Sequence, residues 1–296
     1  MAVDTQSLMK QVRHIRILTS RAVDERFSGE YHSVFRGQGI EFDEVREYAP
    51  GDDVRHIDWN VSARMGHPFI KRFSEERELT VIFLVDISGS QGFGSLARTK
   101  SELAAELACL LALSAIRNQD KVGLILFSDG IEKCIRPRKG RKAVMRLVRE
   151  TLAAEQTRRG TDIAGALRFM GQLQKKKAVV FLISDFMDQG YIQDLRIAAR
   201  KHDVICCPVS DPLERDLPAA GFVDLLDPET GELLQADTSD PAVREAFRMH
   251  ALEHEQNLRQ SFRRYGIDHA FLSTDRPLAD DIRRLFKQRQ NRMARS

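Results

Sequence analysis

The sequence predicts an α/β protein: a doubly wound, mostly parallel sheet preceded by an N-terminal helix and a small β-rich subdomain. Three observations carry this expectation. Four apolar runs rich in β-branched residues have the pattern of strands covered on both faces. Amphipathic helical segments separate most of them. Strand and helix then alternate along the chain, which places helices on both faces of one sheet. Composition agrees with a folded domain. Among 296 residues, 46 Lys and Arg offset 43 Asp and Glu to leave +3, and 18 Gly with 9 Pro exclude collagenous or low-complexity chains. A nucleic-acid binder acting through bulk positive charge is excluded too, because such proteins carry a strong net excess.

The elements follow in order. An amphipathic helix is expected over Gln6–Ala22, then a β-rich segment from Ser28 to Glu78 without helix–strand alternation. These make a first domain of residues 1–78, and residues 79–296 make the sheet domain. Its buried strands are Val81–Asp86, Val122–Ser128, Ala178–Asp185 and Val204–Ser210, with a fifth, His269–Ser273, late in the chain. Ile131–Ile135 follows the Ser128-Asp129-Gly130 turn and is expected as an antiparallel edge strand. Helices are expected over Arg98–Arg117, Arg141–Ala153, Asp162–Gln174, Tyr191–Lys201 and Pro241–Tyr265. Pro-Glu-Thr-Gly-Glu at Pro228–Glu232 marks a hairpin inserted near 221–237, and Pro277 opens a last helix with a basic end, Arg283–Arg295. That basic end is expected as a solvated helix face, with no nucleic-acid partner.

Cys109, Cys134, Cys206 and Cys207 have no zinc-site spacing and are expected as reduced, mostly buried thiols of a cytoplasmic protein. The first residues carry scattered charges and no apolar core of a secretory signal. The longest apolar stretch, Leu107–Ile116, is far short of the ~20 residues that span a bilayer. A soluble form with no membrane span is therefore expected.

Ligands of an open α/β sheet bind beyond the carboxyl ends of its strands. There the first strand ends in Asp86-Ile87-Ser88-Gly89-Ser90, and a later one in Ser184-Asp185-Phe186. Arg159-Gly160-Thr161-Asp162 lies ahead of the intervening helix. Carboxylates of Asp86 and Asp185 and hydroxyls of Ser88, Ser90 and Thr161 should converge at one sheet edge. So many hard oxygen donors suit Mg²⁺ or Mn²⁺ rather than zinc.

This Asp-x-Ser-x-Ser, Gly-Thr-Asp and Ser-Asp set resembles the metal-ion-dependent adhesion site of von Willebrand factor A domains, over about Leu79–Thr274. The resemblance implies Ser88, Ser90 and Thr161 as direct ligands, with Asp86 and Asp185 acting mostly through water. It also implies an open coordination position that draws an acidic side chain from a protein partner. Phe186 stands where a small residue is common and is expected to narrow access.

The segment Phe35–Glu78 is similar to the signature of a bacterial family catalogued as domain of unknown function fifty-eight. The likeness runs through Gly37, Glu41-Phe42, Arg46, Tyr48, Gly51-Asp52, Arg55, Ile57-Asp58-Trp59, Ala63-Arg64 and Lys71. Members join it to a von Willebrand A-like domain and are commonly encoded beside MoxR-type AAA+ ATPases. The resemblance implies such an ATPase, or a client it remodels, as partner.

Plainer readings compete with these. Strand-end Asp and Ser often serve only local turns. The mixed charges from Asp43 to Arg64 fit a solvated, salt-bridged surface as well as a partner-binding one. Trp59, the sole tryptophan, is expected as the core anchor of the first subdomain. Gly94–Ser101 approaches a phosphate-binding loop, but Thr99 occupies the second glycine position, where backbone must wrap phosphate. No serine-hydrolase elbow is present. The expected function is a non-enzymatic, Mg²⁺-dependent protein-binding adaptor. The alternative is a Mg²⁺-dependent hydrolase of phosphate compounds, with Asp86 as nucleophile.

Overall fold

The computed structural model describes all residues except 1–9, 11, 17, 18, 20, 21, 24, 36–38, 77, 97, 155–159, 228–230 and 295–296, and the backbone alone at 25, 26, 39–44 and 71–76. The chain divides into two units, one of Met1–Val34 with Thr80–Ser296 and one of Phe35–Leu79.

The larger unit is the doubly wound, mostly parallel α/β sheet that the sequence predicts. Its strands are β3 (Thr80–Asp86), β4 (Lys121–Phe127), β5 (Ile131–Arg138), β6 (Val179–Ser184), β7 (Asp203–Ser210), β10 (Asp268–His269) and β11 (Leu272–Ser273). They lie in the order β10-β7-β6-β3-β4-β5, with β11 also on β7. All pair in parallel except β5, the expected antiparallel edge. The expected fifth strand is thus two short pieces, separated at Ala270 and Phe271.

β3, β4, β6 and β7 are apolar on both faces because helices cover both. Ile82 and Leu84 belong to a core with Ile163, Leu167, Met170, Leu195 and Phe262. On the opposite face, Phe83 and Phe181 stack at 5.6 Å. Cys206 and Cys207, adjacent in β7, are both buried, while Cys134 on the edge strand is half-buried. The covering helices are α3 (Lys100–Arg117), α4 (Arg141–Leu152), α5 (Ile163–Leu173), α6 (Ile192–Lys201), α7 (Pro241–Arg264) and α8 (Leu278–Met293). Among the described residues, no helix is long and apolar enough to cross a membrane. The expected insertion is a hairpin of β8 (Phe222–Leu226) and β9 (Leu233–Asp237); the tip at 228–230 lies outside the described residues.

Two expectations about the N-terminal region are corrected. Residues 28–34 are not β-rich: they belong to helix α1 (Glu25–Val34). This helix joins the sheet unit, so the first domain does not run from residue 1 to 78. Its aromatic residues decide the matter. Phe27 and Tyr31 are fully buried, with ring centroids 5.4 and 6.3 Å from that of Phe286 on α8. The Tyr31 hydroxyl also donates to Asp120 at 3.2 Å. Of the helix expected over Gln6–Ala22, residues 12–16 are helical and much of the remainder lies outside the described residues.

The smaller unit is an antiparallel hairpin, β1 (Gly39–Glu47) and β2 (Phe69–Glu76), whose connection carries the short helix α2 (Trp59–Met65). Trp59 is not its core anchor but 71% exposed. It is the first helical residue after the Asp58 cap, whose carboxylate accepts from the amides of Asn60 and Val61. Within the signature, Arg46 and Asp52 form a two-pronged ion pair at 2.6 and 2.9 Å. This holds Asp52 below the usual carboxylate range, through the Arg46 hydrogen bonds first and the Ala49 amide second. Gly37 and the side chains of Glu41, Phe42 and Lys71 lie outside the described residues.

Candidate metal centre at the sheet edge

β3 is the first strand of the sheet unit and lies centrally, with β4 on one side and β6 on the other. Chain order reverses there, so its carboxyl end opens on the crevice where α/β sheets bind ligands. Asp86 ends β3 and is 1% exposed. Its Oδ1 accepts the Ser88 amide at 2.9 Å and its Oδ2 accepts the Ser184 hydroxyl at 2.6 Å. Burial raises its pKa, the Asp185 charge adds to this, and the Ser184 and Ser88 hydrogen bonds oppose it.

Past Asp86 the chain turns sharply. The Ile87 amide bonds the Phe127 carbonyl at the end of β4, and the Gln91 amide bonds that of Ser88. The Ser88 and Ser90 hydroxyl oxygens lie 3.2 Å apart. Ser90 donates to Asp185 Oδ2 at 2.6 Å, which leaves Ser88 as donor in the contact between the two serines. One hydrogen-bonded set therefore joins Asp86, Ser88, Ser90, Ser184 and Asp185.

Thr161 is placed through its backbone neighbours. The Asp162 amide bonds the Ser128 carbonyl at 2.7 Å. The Ile163 amide donates to Asp188 Oδ2 at 2.9 Å, tying the start of α5 to the loop after Asp185. The Asp162 carboxylate caps α5 on the Gly165 amide at 2.7 Å. A Cβ at Gly165 would stand 2.1 Å from that carboxylate, so the cap requires glycine there. Arg159 lies outside the described residues.

Phe186 does not narrow the site. It adopts a left-handed φ of 60° and is 1% exposed, its ring packed near Tyr191 and Phe262 in the core. The unusual backbone turns the aromatic side chain inward and leaves the loop edge to Asp185.

Two groups escape the sequence reading. Lys100, the first residue of α3, is fully buried, and its ammonium donates to Asp185 Oδ2 at 3.0 Å and Glu214 Oε1 at 2.6 Å. Burial pushes that ammonium down, but Asp185 and Glu214 outweigh it and hold its pKa above the ordinary lysine value. The readable signal is a lysine at the amino end of an apolar helix, where the helix dipole disfavours a cation. Asp211, after β7, accepts from the Ser95 amide and hydroxyl, from Thr274 and from Leu213. Burial raises its pKa, but these bonds outweigh burial and the net shift is downward. They fix the loop from β3 to α3 beside the end of β7. Gly94 lies in this loop, with no room for a Cβ, which would stand 2.5 Å from the Arg98 carbonyl oxygen.

The donor chemistry fits a hard divalent ion. Among the described residues, no cluster of three His, Cys, Asp or Glu could hold a metal. Coordination here would rest on hydroxyls. A hydroxyl that gives its proton to a carboxylate keeps its lone pairs for a cation, and Ser90 is arranged in that way.

The family described as "Protein of unknown function DUF58" matches residues 44–257. The uncharacterized protein Rv1480 of Mycobacterium tuberculosis is 29% identical over 296 residues, covering 99% of this chain and 93% of that protein. Among solved structures, the conserved hypothetical protein BatB of Bacteroides thetaiotaomicron is 18% identical, with 74% of this chain and 100% of that chain covered and a TM-score of 0.46. The SpRpn10 VWA domain is 11% identical, with 70% and 95% covered and a TM-score of 0.39.

Proposed function

The chain belongs to the DUF58 family, and we propose that it is a non-enzymatic, cytoplasmic adaptor that captures a protein partner through a divalent cation at the sheet edge. The observation that carries this reading is the hydrogen-bonded set of Asp86, Ser88, Ser90, Ser184 and Asp185 at the switch point. Ser88, Ser90 and Thr161 would hold Mg²⁺ or Mn²⁺ through neutral oxygens. Asp86 and Asp185 would hold their neighbours' protons and supply negative charge from behind. The cation supplies a position for an acidic side chain of the partner. The family resemblance supplies the partner class, a MoxR-type AAA+ ATPase or its client. Asp86 supports binding over phosphotransfer, because a nucleophile needs access and both its buried oxygens already accept hydrogen bonds.

Titration calorimetry with Mg²⁺ and Mn²⁺, together with partner capture with and without EDTA, tests the reading. Wild type should bind the ions, and EDTA should abolish capture until excess Mg²⁺ restores it. Ser90→Ala, checked for folding by circular dichroism, should lose both. Metal-independent capture overturns the reading. Phosphoester turnover that Asp86→Ala abolishes would favour the hydrolase.

A further inference from the structure

We propose that Lys100 sets the divalent-cation affinity of the sheet-edge site, holding it low by neutralising Asp185. This rests on the metal-dependent reading above and deepens it. Lys100 is fully buried, and it stands at the first position of α3, where the helix dipole repels a cation. Packing alone gives no reason for an ammonium there. Its two carboxylate partners do: Asp185 Oδ2 at 3.0 Å and Glu214 Oε1 at 2.6 Å.

The same Asp185 oxygen receives the Ser90 hydroxyl at 2.6 Å. Lys100 therefore acts on the carboxylate that orients a proposed ligand. Glu214 is fixed in turn, its Oε2 accepting the Asp211 amide at 2.8 Å. The loop after β7 thus determines where the ammonium sits. Asp185 and Glu214 bring two negative charges against the one positive charge of Lys100. Without Lys100, the charge of Asp185 behind Ser90 would be uncompensated and the ion would be bound more tightly. With it, the ion is held more weakly and keeps charge to present to a carboxylate outside, as capture of an acidic partner requires.

The test is Mn²⁺ binding to the full chain, read from the electron paramagnetic resonance of the free ion, for wild type, Lys100→Met, Glu214→Gln and the double variant. The two single changes should move affinity in opposite directions. Lys100→Met should tighten Mn²⁺ binding about tenfold or more, and Glu214→Gln should weaken it. The double variant, which restores the charge balance, should return toward wild type. A lysine that merely fills space predicts unchanged or weaker binding in a folded Lys100→Met, and that result overturns the inference. If Lys100→Met does not fold, Glu214→Gln decides: weaker binding supports the inference, and unchanged or tighter binding overturns it. Wild type that binds no Mn²⁺ at millimolar concentration removes the metal reading itself, and this inference with it. Wild-type binding that the variants leave unchanged removes this inference alone.

Discussion

Ser90 donates its hydroxyl proton to Asp185 Oδ2 at 2.6 Å, joining two positions 95 residues apart in the chain. The bond links the turn after β3 to the end of β6, neighbours in the sheet. Its partner on the other side is Ser184, whose hydroxyl both donates to Asp86 at 2.6 Å and accepts the Phe186 amide at 3.0 Å.

Ser184→Ala should therefore destabilise the protein by about 1–3 kcal/mol, because it leaves a buried carboxylate oxygen and a buried amide unsatisfied. Urea denaturation measures this directly. A change within ~0.5 kcal/mol would mean that Ser184 is a passive filler.

Arg289 on α8 is buried and forms a two-pronged pair with Asp203 at 3.0 and 2.5 Å, and a bond to Asp268 at 2.7 Å. It clamps the last helix to the starts of β7 and β10. Arg289→Met should cost about 1–3 kcal/mol, since Asp203 loses its guanidinium partner while Asp268 keeps Arg292 at 2.6 and 2.8 Å. Equal stability of variant and wild type in urea would show that the clamp is dispensable.

His202, at the end of α6, is buried, and among the described residues neither ring nitrogen has a hydrogen-bond partner. Burial, with the Lys201 charge adding to it, lowers its pKa to about 4. Between roughly pH 6.5, the ordinary histidine value, and pH 4, the unfolded chain takes up a proton that the folded chain refuses. Stability should fall as pH drops through that window and be unaffected by this group above it. In His202→Leu the same melting series should lose part of its slope between pH 6.5 and 5. Identical slopes would assign the effect to other groups.

Gln119, exposed after α3, has a left-handed φ of 64°. Such a backbone strains any residue with a Cβ. Gln119→Gly should raise stability by up to about 1 kcal/mol, with the added freedom of the unfolded chain offsetting part of the gain. A lower melting temperature would show that the side chain contributes more than the strain removes.

The strands and helices of the sheet unit are legible because burial on two faces leaves a continuous apolar run, and burial on one leaves a 3.6-residue period. The beginnings and ends of β3, β4, β6 and β7 lie within a residue of expectation for that reason. Helix α1 escaped: Glu25–Val34 is polar on much of its surface, and Phe27 and Tyr31 gain their helical role only by meeting Phe286, more than 250 residues later. Trp59 misled because a large aromatic suggests a core, whereas its place is decided by the Asp58 cap next to it.

The sequence by itself determined the sheet, its edge strand and the convergence of Asp86, Ser88, Ser90 and Asp185, since each sits at a strand end that the hydrophobic pattern marks. Only the tertiary structure decided that Phe186 turns into the core and that Lys100 reaches Asp185 and Glu214. Periodicity records which residues are buried. It does not record which buried charges meet, because that depends on helices and loops brought together from distant parts of the chain.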